Sequence, residues 1–139
     1  MNEDIGWTEL VHLPIAKMQD VLLARFIGRD EATKLGFTPA FLTRVATVIS
    51  EATRNVVQHA GAPGEIRLEK SAHNGCPGLR ITVSDKGKGI NQPERHLAGG
   101  NAGALGSGLS GAQRLTDSFR IESAPGAGTT VTMEVWKRE

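Results

Sequence analysis

The stretch Ser84-Asp85-Lys86-Gly87-Lys88-Gly89-Ile90 decides the fold, because it closes a strand with an aspartate and two alternating glycines. Residues 79–84 alternate between apolar and polar with a period of two, which predicts a strand. Asp85 falls on the apolar side, where a carboxylate needs hydrogen-bond donors, yet the following residues offer no obvious partner. Gly87 and Gly89 lack side chains, so another group can approach the backbone closely. We therefore predict a ligand site here; an ordinary turn is the alternative.

Length and composition describe an ordinary globular protein. The chain has 139 residues, of which 39% are hydrophobic and 22% charged, so we expect a single domain over residues 1–139. A net charge of +1 gives no electrostatic reason to expect nucleic acid or an anionic membrane as partner. Residues 1–4 are acidic and polar, unlike a signal peptide, and the single Cys76 cannot form an internal disulfide. These features favour a reducing cytoplasm.

The spacing of apolar residues predicts two long helices and five strands. Helical spacing covers residues 15–35 and continues from an N-cap at Thr38 to about Ala60. Strands are predicted at residues 8–14, 65–70, 79–84, 118–123 and 129–136. All but the first alternate cleanly, which indicates a sheet with one solvated face and mostly antiparallel pairing. The expected fold class is an α/β two-layer sandwich, a mostly antiparallel sheet with helices on one face, rather than a doubly wound parallel sheet.

The first predicted helix is apolar around much of its circumference. Its large apolar residues include Met18, Leu22, Leu23 and Phe26. A helix of this kind is expected to be covered on two sides, by the core and by a partner. Gly36 is predicted to cap its C-terminus.

Glu51 and Asn55 lie four residues apart on the second predicted helix and therefore share one face. That face borders an apolar stripe that includes Val48 and Ala52. A carboxylate and an amide in this position can look into a cavity beside the core. They can equally form a polar border that pairs with Arg54 or with solvent, and the sequence leaves both interpretations open.

Residues 91–105 are rich in glycine and show no sustained period. An unstructured stretch of this length is uncommon in a small domain unless it is a functional lid. It leads into Gly106-Ser107-Gly108-Leu109-Ser110-Gly111 and a short helix through about Leu115. Backbone N–H groups at a helix N-terminus bind phosphate oxygens readily. We predict a phosphate-binding lid at about residues 91–108; a mobile loop without a ligand is the alternative.

Four short motifs follow one another along the chain. They are Glu51 with Asn55, Asp85-x-Gly87-x-Gly89-Ile90, Gly106-x-Gly108-Leu109 and Gly126-x-Gly128-Thr129. This set resembles the Bergerat ATP-binding fold of the GHKL superfamily, which includes gyrase, Hsp90, histidine kinases and MutL. Thr129 has the same strand parity as Val131, so it too is expected to face the cavity.

The resemblance implies how the base of ATP is held. Asp85 would accept a hydrogen bond from the adenine amine, and Thr129 would support the base through water. Gly87 and Gly89 would make room for the purine, with Ile90 completing the motif.

The same resemblance implies which residues bind the phosphates and Mg²⁺ and which residue acts in the reaction. The residues assigned to the phosphates are Gly106, Ser107, Gly108 and Leu109. Asn55 would bind Mg²⁺, a hard cation that prefers oxygen ligands. Glu51 would act as the base for an acceptor serine hydroxyl.

Within the superfamily the chain is most similar to the stand-alone serine kinases of bacterial partner switching, the anti-sigma-factor kinase group and especially its RsbT type. The stretches that carry the likeness are residues 32–37, 50–57, 106–115 and 121–123. The resemblance implies an ATP- and Mg²⁺-dependent protein serine kinase. It would phosphorylate a STAS-domain antagonist and then engage a sigma factor or a PP2C-type phosphatase.

Two other functions remain open on the sequence. One is a nucleotide-gated protein-binding switch with vestigial kinase activity. Residues 99–103 favour it, since they read Gly-Gly-Asn-Ala-Gly where the family that this sequence resembles often has serine or threonine. The presence of Glu51 argues against it. The other is a detached histidine-kinase catalytic domain, ranked last because none of the four histidines shows a helical phospho-acceptor setting with a dimerising bundle.

Overall fold

A five-stranded sheet and three α-helices make up the described part of the computed structural model, residues 6–89 and 108–137. The elements are β1 (Thr8–Ile15), α1 (Met18–Lys34), α2 (Pro39–Asn55), a π-helical turn (Val56–Ala60), β2 (Gly64–His73), β3 (Cys76–Asp85), α3 (Gly108–Leu115), β4 (Ser118–Ser123) and β5 (Thr129–Trp136). The five predicted strands are therefore confirmed, as is the short helix that ends at Leu115. Most of the predicted lid lies outside the described residues.

The sheet has the strand order β1-β2-β3-β5-β4, and every neighbouring pair is antiparallel. The apolar residues of its inner face pack against the helices and are almost fully buried; they include Ile66, Leu68, Leu79, Ile81, Val131 and Met133. The alternation read from the sequence therefore matches one buried and one more exposed face, and the predicted sandwich is confirmed. Pairing of β3 with β5 sets Asp85 directly opposite Thr129.

Helix α1 begins at Met18, so the prediction that it starts at residue 15 was wrong. Ile15 is the last residue of β1 and is fully buried. Asp20, in the first turn, accepts hydrogen bonds from the backbone N–H groups of Ala16 and Lys17 at 2.8 and 3.1 Å. The carboxylate thus fixes where the chain changes from strand to helix.

Replacing Asp20 with alanine is expected to lower the melting temperature at neutral pH. The backbone donors of Ala16 and then Lys17 hold the pKa of the Asp20 carboxyl below its ordinary value. A carboxyl with a lowered folded-state pKa stabilises the fold above its unfolded pKa, and the contribution disappears as pH falls through the folded value. Calorimetry at pH 7 and near pH 2 tests this, since the difference between wild type and Asp20→Ala should shrink in acid. An equal difference at both pH values would contradict it.

Gly36 closes α1 with a positive φ of +89°, as its position predicts.

The two sides of helix α1 differ in which residues they bury and expose. Its inward side buries small residues, Val21, Ala24, Gly28 and Ala32. Its outward side exposes Met18, Leu22, Leu23 and Phe26, the last with 71% of its surface accessible. One side of the helix is therefore covered by the core; covering of the other side by a partner stays a prediction.

Helix α2 starts as predicted, with Thr38 extended and Pro39 as its first residue, but it ends five residues early. The α-helix stops at Asn55 and continues as a π-helical turn through Ala60, before Gly61 at φ +76°. The Ala60 carbonyl accepts the Lys88 N–H at 3.0 Å, so the turn is tied to the loop after β3. Such π turns occur often at functional sites.

Across the two described ranges, no helix combines the length and apolar character that crossing a membrane requires.

Candidate functional site

The ends of α2 and β3 and the start of β5 converge on one cleft. Asn55, Asp85, Gly89 and Thr129 line it together, and they come from three of the motifs singled out in the sequence. His59, Ala60 and Lys88 complete its described lining. Residues far apart in sequence thus meet in one place.

Asp85 is the acidic residue among the described lining of this cleft, and it is buried, with 8% of its surface exposed. Its Oδ1 accepts the backbone N–H of Gly87 at 2.8 Å, so the expectation that no protein donor serves this carboxylate was wrong. The donor is a backbone group of the same turn, which residue types do not reveal. No donor from the described residues reaches Oδ2, and this oxygen is available to a ligand.

The two glycines after Asp85 are required by the protein's own packing. A Cβ on Gly87 would overlap the backbone of Ala60. Gly89 has φ +76°, and a Cβ there would overlap the carbonyl of Ala124. These contacts explain glycine at both positions, while the space for a purine stays a prediction.

Thr129 is 6% exposed, and its hydroxyl lies 2.7 Å from the hydroxyl of Ser123, its neighbour on β4. The Ser123 hydroxyl also lies 3.0 Å from the carbonyl of Gly128, and either hydroxyl of the Ser123–Thr129 pair can be the donor to the other. In both cases the Thr129 oxygen keeps a lone pair with which it can accept a hydrogen bond. Ser123 was missed in the sequence, although it shares the inward parity of Phe119 and Ile121.

Asn55 carries an orphaned oxygen. The residue is 9% exposed, and its buried Oδ1 has no hydrogen-bond partner among the described residues. A buried acceptor in this state costs free energy until a ligand satisfies it. Within residues 6–89 and 108–137 no group of three or more His, Cys, Asp or Glu side chains could hold a metal. A hard cation fits this oxygen only if other ligands come from elsewhere, such as phosphate oxygens and water.

Glu51 does not line the cleft; it lines a groove between α1 and α2. Its Oε2 lies 3.3 Å from Nη1 of Arg54. Of the two interpretations that the sequence left open, Glu51 therefore follows the polar border that pairs with Arg54. Glu51 and Asn55 share a face as predicted, but four residues of helix place them about 6 Å apart along the axis. The two side chains therefore border neighbouring spaces.

Gly108 is the first residue of α3, where the sequence predicts a helix N-terminus. Leu109 is fully buried in the core, so only its backbone N–H is available to a phosphate. Ile90, Gly106 and Ser107 lie outside the described residues.

His59 and Lys88 are cleft residues that sequence reasoning missed. Lys88 stands inside the Asp85 motif, and His59 follows Asn55 by four residues, so position alone could have marked them. The cleft holds about 10 Å³, room for one water molecule. His59 is half-buried and Lys88 is exposed.

Several known proteins are similar to this chain in sequence. Residues 42–139 match the family described as "Histidine kinase-, DNA gyrase B-, and HSP90-like ATPase". The chain is 39% identical over 121 residues to the serine/threonine-protein kinase RsbT of Bacillus subtilis (strain 168), covering 86% of this chain and 90% of the relative. It is 34% identical over 99 residues to an anti-sigma F factor of Pasteuria penetrans, covering 66% of each protein.

A solved structure shows the same fold. The blue-light activated histidine kinase EL346 of Erythrobacter litoralis superimposes with a TM-score of 0.53 at 27% identity, over 71% of this chain. The superposition covers only 31% of that kinase, so the likeness concerns one part of it. On these matches and on the architecture of the sheet, the chain belongs to the family of histidine kinase-, DNA gyrase B- and HSP90-like ATPases.

Proposed function

We propose that the chain is a cytoplasmic, ATP- and Mg²⁺-dependent protein serine kinase of a bacterial partner-switching system. Its substrate is a STAS-domain antagonist, and its second partner is a sigma factor or a PP2C-type phosphatase. The observation that carries the proposal is the cleft in which Asp85 and Thr129 lie beside the orphaned oxygen of Asn55. The likeness to a protein named as a serine/threonine-protein kinase supports the reaction type.

The base of ATP is assigned to the Asp85 end of the cleft. Oδ1 of Asp85 is occupied by the Gly87 N–H, so Oδ2 is the oxygen that accepts from the adenine amine. Thr129, as an acceptor, binds a water that also contacts the base. The cleft has room for one water, which suits that role.

The phosphates are assigned to Asn55 and to the N-terminus of α3, where Gly108 and the backbone of Leu109 lie. Gly106 and Ser107 belong to the same proposal through the sequence. When bound, Mg²⁺ supplies charge neutralisation on the phosphate oxygens.

Phosphoryl transfer requires an acceptor that is held in line. The bond between the γ-phosphorus and the ADP oxygen breaks as a bond to the serine oxygen forms, and Glu51 takes the hydroxyl proton. Because Glu51 lies in the α1/α2 groove, the serine has to arrive from that side. The new phosphate brings a charge of about −2, which weakens the complex by repulsion and desolvation.

Incubation with γ-labelled ATP, Mg²⁺ and a purified STAS-domain partner tests the proposal. We expect label on a serine of the partner and none on a variant of the partner in which that serine is alanine. ATP binding without any phosphoserine would contradict the kinase and favour a binding module.

Asn55→Ala is expected to lower Mg²⁺-dependent ATP affinity at least about tenfold. Metal affinity typically falls by this much when a residue that supports the metal ligands is removed. The melting temperature should not fall, since the variant removes a buried acceptor that has no partner in the described residues. Titrations with Mg²⁺ and with EDTA measure the first effect. Gln58→Ala, an exposed neighbour, should change neither quantity. Wild-type Mg²⁺ dependence in Asn55→Ala would remove the metal assignment.

A second function deserves a test because of the place of Glu51. Its contact with Arg54 and its absence from the cleft lining suit a nucleotide-gated binding switch in which the carboxylate serves structure. Such a switch would release its partner on ATP binding without forming phosphoserine.

A further inference from the structure

The groove between α1 and α2 is a concave surface apart from the Asp85 cleft. Its volume is about 710 Å³, and its walls are the outer parts of both helices. Gly28 permits the close approach of the helices, because a Cβ there would overlap the side chain of Ile49. A groove of this size accepts a peptide segment or a few large side chains.

One face of α1 supplies one wall. Leu22, Arg25, Phe26 and Arg29 follow the spacing of a single helical face and all line the groove. Leu22 is 54% and Phe26 is 71% exposed. Exposed apolar side chains grouped in this way are typical of surfaces that receive another protein.

The charge of the groove is strongly one-sided. Arg25, Arg29 and Arg54 line it, and Glu51 is its single acidic side chain among the described residues. Arg54 pairs with Glu51 at 3.3 Å, whereas no carboxylate from residues 6–89 or 108–137 pairs with Arg25 or Arg29. Two guanidinium groups are thus available, and guanidinium groups bind carboxylates with matched geometry.

The wall formed by α2 contains an unsatisfied polar group. Ser50 is 5% exposed, lines the groove, and its buried Oγ has no hydrogen-bond partner among the described residues. A buried hydroxyl in this state gains free energy when a polar group reaches it. Ser50 also precedes Glu51 directly, so a segment that reaches Ser50 lies next to the proposed base.

We propose that this groove docks an acidic, amphipathic segment of the protein that the chain phosphorylates. Apolar side chains of the segment cover Leu22 and Phe26, and its carboxylates pair with Arg25 and Arg29. The docked segment places the acceptor serine beside Glu51. This inference rests on the proposed kinase function for the identity of the partner, but the contacts themselves need no nucleotide.

The experiment measures docking without catalysis. The STAS-domain substrate is titrated calorimetrically, in the absence of ATP, into wild type, Arg25→Glu/Arg29→Glu and the control Arg120→Glu. Arg120 is exposed on β4, away from the groove. Because like charges across an interface repel strongly, we expect the double reversal to weaken binding about tenfold or more, with the control unchanged. Substituting lysine for acidic residues of the docked segment should restore binding to the double reversal. ATP affinity should be the same in all three proteins.

A second measurement is independent of the substrate and of phosphorylation. Two synthetic helical peptides, one built from leucine and glutamate and one from leucine and lysine, are titrated into the wild-type protein. The acidic peptide should shift the NMR signals of Phe26 and of the Arg25 and Arg29 side chains, and the basic peptide should not. If no phosphoserine forms but the acidic peptide binds here, the groove still docks an acidic segment, and it is the proposed kinase function that fails.

Three outcomes would overturn the groove proposal. One is equal substrate binding by wild type and the double reversal. Another is equal response to the two peptides. The third is a wild-type dimer in sedimentation that the double reversal turns into a monomer with unaltered substrate binding, which would assign the groove to a second copy of the chain.

Discussion

Asp85→Asn is expected to lower the affinity for ATP by about two orders of magnitude. The adenine amine, a hydrogen-bond donor, would then meet the donor NH₂ of asparagine in a buried site, and neither would be satisfied. The turn decides which way the new amide points. Oδ1 already accepts the Gly87 N–H at 2.8 Å, and an asparagine keeps that bond only with its carbonyl oxygen. Its NH₂ group then occupies the Oδ2 position, where the adenine amine needs an acceptor.

Nucleotide exchange provides the control for this argument. Inosine triphosphate has an acceptor oxygen where adenine has its amine. It should bind Asp85→Asn more tightly than it binds wild type, so the variant reverses the preference between the two nucleotides. Calorimetric titration of both proteins with both nucleotides gives the result. Unchanged ATP affinity, or loss of both nucleotides together, would remove base recognition from Asp85.

Glu51→Gln is expected to reduce phosphoryl transfer by about 10²-fold or more, the usual scale for a lost general base. The amide keeps the size of the side chain and its contact with the groove but cannot take a proton. ATP affinity should be unchanged, because Glu51 lies in the α1/α2 groove and not among the residues that line the cleft. Single-turnover transfer to the STAS-domain partner, with Glu122→Gln as an exposed control, measures the effect.

The same variant separates a kinase from a nucleotide-gated switch. A kinase without its base should form a complex with its partner that ATP and Mg²⁺ no longer dissolve. A switch should release the partner in both wild type and Glu51→Gln, with no phosphoserine formed. The lifetime of the complex in the presence of ATP therefore decides between the two functions.

The sheet could be predicted because its information is local. Each strand alternates with a period of two, and that alternation fixes the buried face and the parity of Asp85 and Thr129. The relation of these two residues across β3 and β5 follows from the antiparallel register. Parity could also have identified Ser123, which was overlooked because its polar side chain resembles an ordinary strand end.

The differences between prediction and structure arise where tertiary contacts decide. An apolar stripe cannot show that α2 becomes a π turn after Asn55, nor that the carbonyl at the end of this turn accepts the N–H of Lys88 from a distant loop. Helical spacing likewise extended α1 back to Ile15, but this residue is the last residue of strand β1. Glu51 and Asn55 share a face, and the sequence left open whether they look into one cavity or form a polar border. The packing of α1 against α2 gives Glu51 a separate groove.

The carbonyl of Ala60 joins two regions that are otherwise separate in sequence. It holds the Lys88 N–H and abuts Gly87, so the loop beside Asp85 is fastened to the end of the helix that carries Asn55 and Glu51. Direct contacts therefore connect the loop after β3 to the helix whose outer face borders the groove. Binding at two coupled sites is reciprocal. If bound ATP changes the affinity of the chain for a protein in the groove by some factor, that protein changes the affinity of the chain for ATP by the same factor. A bound partner would then set the ATP concentration at which the cleft fills.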